Sequence, residues 1–356
     1  MTRRDTERGC WIAGAVGVIG TAIGWIIAPA AFPHAWLAAL ACWIGWPLGS
    51  LALLLIHALT GGRWGWAVRP QLVAGLATLP LVVPFVVPLL FVLGALYPWS
   101  LPDAQPHLHN AFYLNLPFFY ARGIVYIVVW LALGGAVLWA LRGKDPQPLL
   151  YRIAPPGLIL LAVTVTFAAI DATMSLDPEF KSSVYGLVIG TEAALFALSV
   201  AVLGASIAAP ADKRVTADLG KLMLGLTIFW AYLDFMQILI VWQSDLPEEA
   251  AYYLPRVTHG WQYVAGVIAV LHFFLPFFLL LWPRIQASRR ALGAIAAALV
   301  AAELLRAWWL VVPASGRGFG LLDVLGMLAV FGIGAGLALR APLGSLQNAA
   351  AADRHG

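Results

Sequence analysis

The sequence predicts an all-α polytopic membrane protein of about ten transmembrane helices, on three observations. Of the 356 residues, 62% are hydrophobic and 11% charged, with a mean hydropathy of +0.87. That is too little charge to cover a soluble domain of this length. Apolar stretches long enough to cross roughly 30 Å of hydrocarbon recur about ten times. The loops between them carry most of their basic residues on alternate sides.

The first stretch, 11–31, is too long for a signal-peptide core and lacks a cleavage site, so it reads as a retained span. The second, 36–60, ends with His57, placed at the interface. The third, 71–97, contains Pro80, Pro84 and Pro88, which membrane helices tolerate because neighbours satisfy the freed carbonyls. The fourth, 115–141, carries Arg122, and the fifth, 155–173, carries Asp171. Glu192 lies near the middle of the sixth, 183–207, and Asp234 outward of the centre of the seventh, 218–243. The eighth, 259–282, holds His272 and Pro276; the ninth, 291–313, holds Glu303 and Arg306; the tenth, 319–339, holds Asp323. Together they form one membrane domain over 1–340, followed by a tail at 341–356.

Loop charge sets the orientation. The N-terminus, the even-numbered loops and the C-terminus hold fifteen basic residues: Arg3, Arg4, Arg8, Arg63, Arg69, Arg142, Lys144, Arg152, Lys213, Arg214, Arg284, Arg289, Arg290, Arg340 and Arg354. The odd-numbered loops hold Lys181, Arg256 and Arg317. By the positive-inside rule both termini are cytoplasmic. Because these basic residues sit in short loops and form no patch, a nucleic-acid partner is excluded; the bilayer is the first partner. The odd loops are acidic and proline-stiffened, with Asp103, His107 and His109 in the third and Asp245 in the seventh. Trp99, Trp242, Tyr252, Tyr253 and Trp261 are expected to mark the interface on that side.

Ionisable groups within spans are expensive, and each needs a partner or a use. At 1.5 Å per residue, Arg122 lies roughly 10 Å below the outer surface. On the seventh span Trp230, Asp234, Gln237 and Val241 follow i, i+4, i+7 and i+11, so one face carries an aromatic, an acid and an amide. Such a face suits quinol deprotonation or a proton half-channel; on the structural reading, Asp234 makes an interhelical hydrogen bond, with Arg122 or His272 as its partner. Arg122, Asp171, Glu192, Asp234, Gln237 and His272 are therefore the candidate quinol or proton path. Glu303 and Arg306, three apart, are expected to form a structural ion pair on their own helix. Cys10 and Cys42 allow neither a metal cluster nor a CxxCH haem attachment, so no metal site and no covalent cofactor is expected.

Several segments resemble the NrfD/polysulfide-reductase-like membrane subunits of alternative complex III. They are the run from His57 to Gly65, Leu96-Tyr-Pro-Trp, and Tyr113 through Arg122. The most specific is Thr166 through Asp171-Ala-Thr-Met-Ser-Leu-Asp-Pro178; Asp218-Leu-Gly-Lys-Leu, Phe229 through Gln237, Ile240 through Glu249 and His272-Phe-Phe-Leu-Pro-Phe follow. The resemblance covers roughly residues 57 to 282. It implies two four-helix bundles plus two further helices in a bacterial inner membrane. It also implies a quinol:cytochrome c oxidoreductase containing an iron–sulfur subunit, multihaem cytochrome subunits and a paralogous NrfD-like subunit. In that setting the chain anchors redox subunits and binds quinol or conducts protons. The sequence departs from the pattern at Ala172, Glu179, Asp234 and Asp245. On physics alone, a proton-coupled secondary transporter or channel fits ten spans with embedded acids; such proteins show paired, broken helices in inverted halves, and no internal repeat is evident.

Overall fold

Two glycines, Gly61 and Gly62, sit at φ 65° and 94° between the second and third helices. This left-handed geometry, which glycine adopts without strain, reverses the chain within two residues, and the next helix begins at once with Arg63. The computed structural model describes residues 2–103, 110–208, 212–244 and 246–340. His107, His109, Asp245 and the tail 341–356 lie outside the described residues.

Ten helices among the described residues are long and apolar enough to cross a membrane: α1 (Arg3–Ile27), α2 (Phe32–Thr60), α3 (Arg63–Leu90), α4 (Leu116–Ala140), α5 (Gln147–Leu176), α6 (Tyr185–Ile207), α7 (Lys213–Ser244), α8 (Trp261–Leu280), α9 (Arg289–Ser315) and α10 (Leu321–Arg340). There is no strand among them. The third helix starts eight residues before the expected boundary, because Arg69 is carried inside it, its guanidinium 4.3 Å from the Trp66 ring. Its aliphatic stem can lie along apolar surface while the charged head finds a partner. Near Pro80 the helix gives way to a 3₁₀ turn, Leu79–Leu81, before resuming at Val82, since proline removes a donor and clashes with the preceding turn. α5 begins earlier than expected and runs through Pro155 and Pro156.

The helices sort into two four-helix groups and a pair. α2–α5 pack as one group and α6–α9 as the other; α2 and α6 meet at the seam, and α1 pairs with α10 against the flank of α2. Without a hydrophobic drive between helices in lipid, close packing depends on small residues. A Cβ at Gly49 of α2 would overlap the Ala193 carbonyl of α6. The same holds along α1 and α10, where Gly17 lies against the Ala329 backbone and Gly332 against Gly14. Arg340 of α10 pairs with Glu7 of α1, so the start of the first helix and the end of the last lie on the same face of the bundle.

The expected aromatic belt on the odd-loop end is corrected in part. Trp242 is exposed as expected, but Trp99, Tyr252 and Trp261 are almost wholly buried. Their chains fold back over the helix ends: the Trp99 indole donates to the Ser175 carbonyl at 3.0 Å and the Trp261 indole to that of Arg317 at 3.0 Å. His57 is likewise buried, its ring edge-on to Trp64 and Trp66 and bonded to the Gly62 carbonyl at 2.9 Å.

Candidate functional site

The start of α4 fixes the first cluster. Asn115 caps the helix, accepting from the Phe118 amide at 3.0 Å, which sets Arg122 and Tyr126 one turn apart on the same face. Arg122 Nε donates to Asp171 Oδ2 and Nη2 to Oδ1, both at 2.8 Å, and the Tyr126 hydroxyl donates to Oδ2 at 2.8 Å. Arg122 Nη1 donates to the Tyr113 carbonyl at 3.0 Å, with the guanidinium 3.8 Å from the Tyr113 ring. Asp171 lies in the last turn of its α-helical run, Gln147–Ala172, the end where the helix dipole disfavours an acid. The bidentate arginine offsets that and makes the pair geometrically specific. Burial, and then the Asp171 charge, pushes the Tyr97 hydroxyl well above the usual tyrosine range, and Tyr113 behaves the same way. Both therefore stay protonated.

A second cluster draws one or more ionisable groups from each of α6, α7, α8 and α9. Arg306 Nη2 lies 2.5 Å from Asp234 Oδ1, and its Nε lies 3.5 Å from Glu192 Oε1. His272 Nε2 is 2.8 Å from Glu303 Oε1, and the imidazole meets the Trp230 ring edge-on at 3.8 Å. The Glu192 and Glu303 carboxyls adjoin. His272 reaches this cluster from a π-helical turn, Ala269–Phe274. Pro276 cannot donate to the carbonyl four residues earlier, that of His272, and the wider turn accommodates it.

These contacts correct two expectations. Glu303 and Arg306 do not form the ion pair expected along their helix: Glu303 is engaged by His272, and the fork of Arg306 is filled by Asp234 beside Glu192. Interhelical partners have displaced the local one. The partner of Asp234 is Arg306, and neither Arg122 nor His272. Gln237 shares the buried face with Trp230 and Val241, as the spacing predicts, but its amide serves the loops. It accepts from Ser182 at 2.9 Å and donates to the Tyr253 hydroxyl at 3.3 Å. Burial pushes that hydroxyl up to about 12, so it stays a neutral partner.

The six candidates thus divide. Arg122 and Asp171 sit in the first four-helix group; Glu192, Asp234 and His272 join in the second; Gln237 ties two loops together. A cavity of about 370 Å³ lies between the groups, lined by Cys42, Tyr126 and Asp171 of the first and by Glu192 and Glu303 of the second. Sequence reasoning missed Tyr126, which was findable as the i+4 neighbour of an embedded arginine. It also missed the membership of Glu303 and Arg306 in a five-residue cluster, for which no local signal exists. Among the described residues, no three His, Cys, Asp or Glu side chains converge so as to hold a metal ion.

No protein-family description matches this chain, and no curated protein matches it.

Proposed function

We propose that the chain is an integral membrane subunit of a quinol-oxidising respiratory complex of the alternative complex III type. It lies in a bacterial inner membrane with both termini cytoplasmic, anchoring iron–sulfur and multihaem subunits beside a paralogous membrane subunit. One observation carries this reading: acids of both four-helix groups, Asp171 and the Glu192–Glu303 pair, border the same apolar cavity.

Oxidising a quinol to a quinone removes two electrons and two protons. The electrons leave to redox groups of partner subunits, and the protons need acceptors inside an apolar wall. Arg122 and Tyr126 fill both acceptor positions on Asp171 Oδ2 and one on Oδ1, which leaves a position on Oδ1 that could orient a hydroxyl. The second cluster holds three carboxyls against one guanidinium and one imidazole. An uncompensated charge in such surroundings is costly, so the cluster stays near neutrality only by binding protons shared over Glu192, Glu303 and His272. It can therefore relay a proton from the cavity side only by releasing one that it already holds. Glu192 is the member best placed to act, since its Oε2 is buried without a protein partner.

Affinity purification from a native host tests the assembly. The tagged chain is expected to elute with haem-containing subunits and quinol:cytochrome c activity. Elution as an isolated chain that binds a solute would reject this reading in favour of a proton-coupled transporter. Within the assembled complex, Glu192→Gln is expected to lower quinol turnover by about a hundredfold, the lower end of the range for losing a proton-transfer group. Unchanged turnover would remove Glu192 from the path.

A further inference from the structure

A separate cavity of about 530 Å³ opens between α7 and α8, with Asp234 of the charge cluster on its lining beside Ile228, Tyr232, Phe235, Phe274 and Phe277. Tyr232 and Phe235 are more than half exposed, so its mouth lies where lipid would be. On α7 these residues continue a stripe. Lys221, Gly225, Ile228, Tyr232 and Phe235 follow i, i+4, i+7, i+11 and i+14, so they share one face of the helix. Gly225 is exposed, and a Cβ there would meet nothing within 4 Å. The stripe is thus low between the cavity and the even-loop end.

That end of the stripe lies among cations. After α8, Trp282 leads the chain into a short helical turn, Pro283–Gln286, which packs on α7 and α9. Gln286 holds the turn: its amide donates to the Leu280 carbonyl at 2.6 Å, and its side chain lies against Gly220, next to Lys221. α9 then opens with Arg289 and Arg290 and has no acid in its first turn, although the helix dipole disfavours cations there. The acids of this corner are taken: Asp212 by Arg63 at 3.7 Å and Asp218 by Lys221 at 3.4 Å. Arg284 and Arg290 are exposed and have no carboxylate partner among the described residues. Beside them Trp282 and Phe278 present apolar surface, each at least 60% exposed.

We propose that this corner binds one anionic phospholipid, its phosphate head on Arg284 and Arg290 and one acyl chain laid along the α7 stripe into the cavity. Basic residues clustered just beyond the end of a membrane helix attract anionic head groups, and the acids that could neutralise this corner are already matched. A zwitterionic head carries an ammonium that these same cations would repel. Phe277 lies seven residues before Arg284, roughly 10 Å along the axis, within reach of a chain that fills one leaflet of about 15 Å. In the cavity itself Arg306 is matched by Asp234 at 2.5 Å, so the tail belongs there and the head does not. The proposal does not depend on the chain being part of a redox complex.

Native mass spectrometry of the full chain tests this, after delipidation in detergent and titration with phosphatidylglycerol or with phosphatidylcholine of the same chains. One phosphatidylglycerol should be retained in preference to the phosphatidylcholine. Arg284→Gln with Arg290→Gln should weaken its retention at least about tenfold, since each cation at an anionic surface is worth about fivefold. Arg142→Gln with Lys144→Gln, exposed cations of another even loop, should leave retention unchanged. A phosphatidylglycerol with a diazirine in one acyl chain should label 225–235 and 274–277. Gly225→Trp should remove that label with the melting temperature unchanged. Equal retention of the two lipids, equal loss in the two double variants, or labelling spread evenly over the spans would each overturn the proposal. Displacement by inorganic phosphate with no label in the cavity would overturn it too, reducing the corner to a plain anion site. Each of these outcomes leaves the respiratory reading intact.

Discussion

Asp171 accepts three hydrogen bonds, two from Arg122 and one from Tyr126, and nothing in an apolar bilayer could replace them. Asp171→Asn would leave the guanidinium buried and uncompensated. Breaking a buried pair from one side costs about 3–5 kcal/mol, so a large fall in the melting temperature of the detergent-solubilised chain is expected. Replacing both partners, Arg122→Met with Asp171→Leu, should recover most of that loss, because the uncompensated charge is then gone. A double variant as unstable as the single one would mean that the pair has a further structural role. Asp234→Asn should behave like Asp171→Asn, since Asp234 is the closest counter-ion of Arg306 at 2.5 Å. Glu192→Gln should melt within a few degrees of the native chain, because Glu192 lies farther from Arg306 at 3.5 Å. Thermal unfolding of the two variants side by side checks this ordering. The embedded charges themselves were legible in the sequence, because a charge in an apolar run stands out by itself. Their partners were not: Asp234 and Arg306 are 72 residues apart, and the i, i+3 rule pointed instead to Glu303.

Among the elements, the π-helical turn and the glycine-lined pair show where sequence reading stops. The eighth span was visible as an apolar run and Pro276 as its irregularity, yet the form that irregularity takes depends on Trp230 and Glu303 receiving His272 from other helices. The third helix was misplaced for a similar reason. A positively charged Arg63–Arg69 stretch reads as a loop until a turn at Gly61 and Gly62 is known to start the helix there. The contact of α1 with α10 rests on backbone approach at Gly14, Gly17, Ala329 and Gly332, and α1 is otherwise the least buried span. Gly17→Leu is therefore expected to separate α1 from α10. The measurable outcome is a lower melting temperature; if the proposed respiratory role holds, quinol turnover should be largely retained, because neither acid-lined cavity touches α1. Gly17→Ala should lie between. Loss of turnover at unchanged stability would show that α1 contributes to the active assembly in some other way.

At the scale of the whole molecule, an even number of spans returns the chain to the face on which it starts, as the Arg340–Glu7 pair reflects. The buried charges then gain a direction. Arg122–Asp171 and the Arg317–Asp323 pair, held at 2.8 and 2.7 Å, lie toward the odd-loop end, and the excess of basic residues lies at the other. Anionic lipid and the insertion machinery retain Lys and Arg in the cytoplasm, so the odd-loop end should face outward, where cytochrome subunits would dock. Lys144 and Lys181 occupy exposed positions on opposite faces, which makes them suitable reporters. In a background of Cys10→Ser and Cys42→Ser, Lys181→Cys should react with a membrane-impermeant maleimide on intact spheroplasts. Lys144→Cys should react only once the membrane is opened. The reverse pattern would invert the molecule, turn its acidic loops toward the cytoplasm, and leave the proposed partners on the wrong side of the membrane from the face that would hold them.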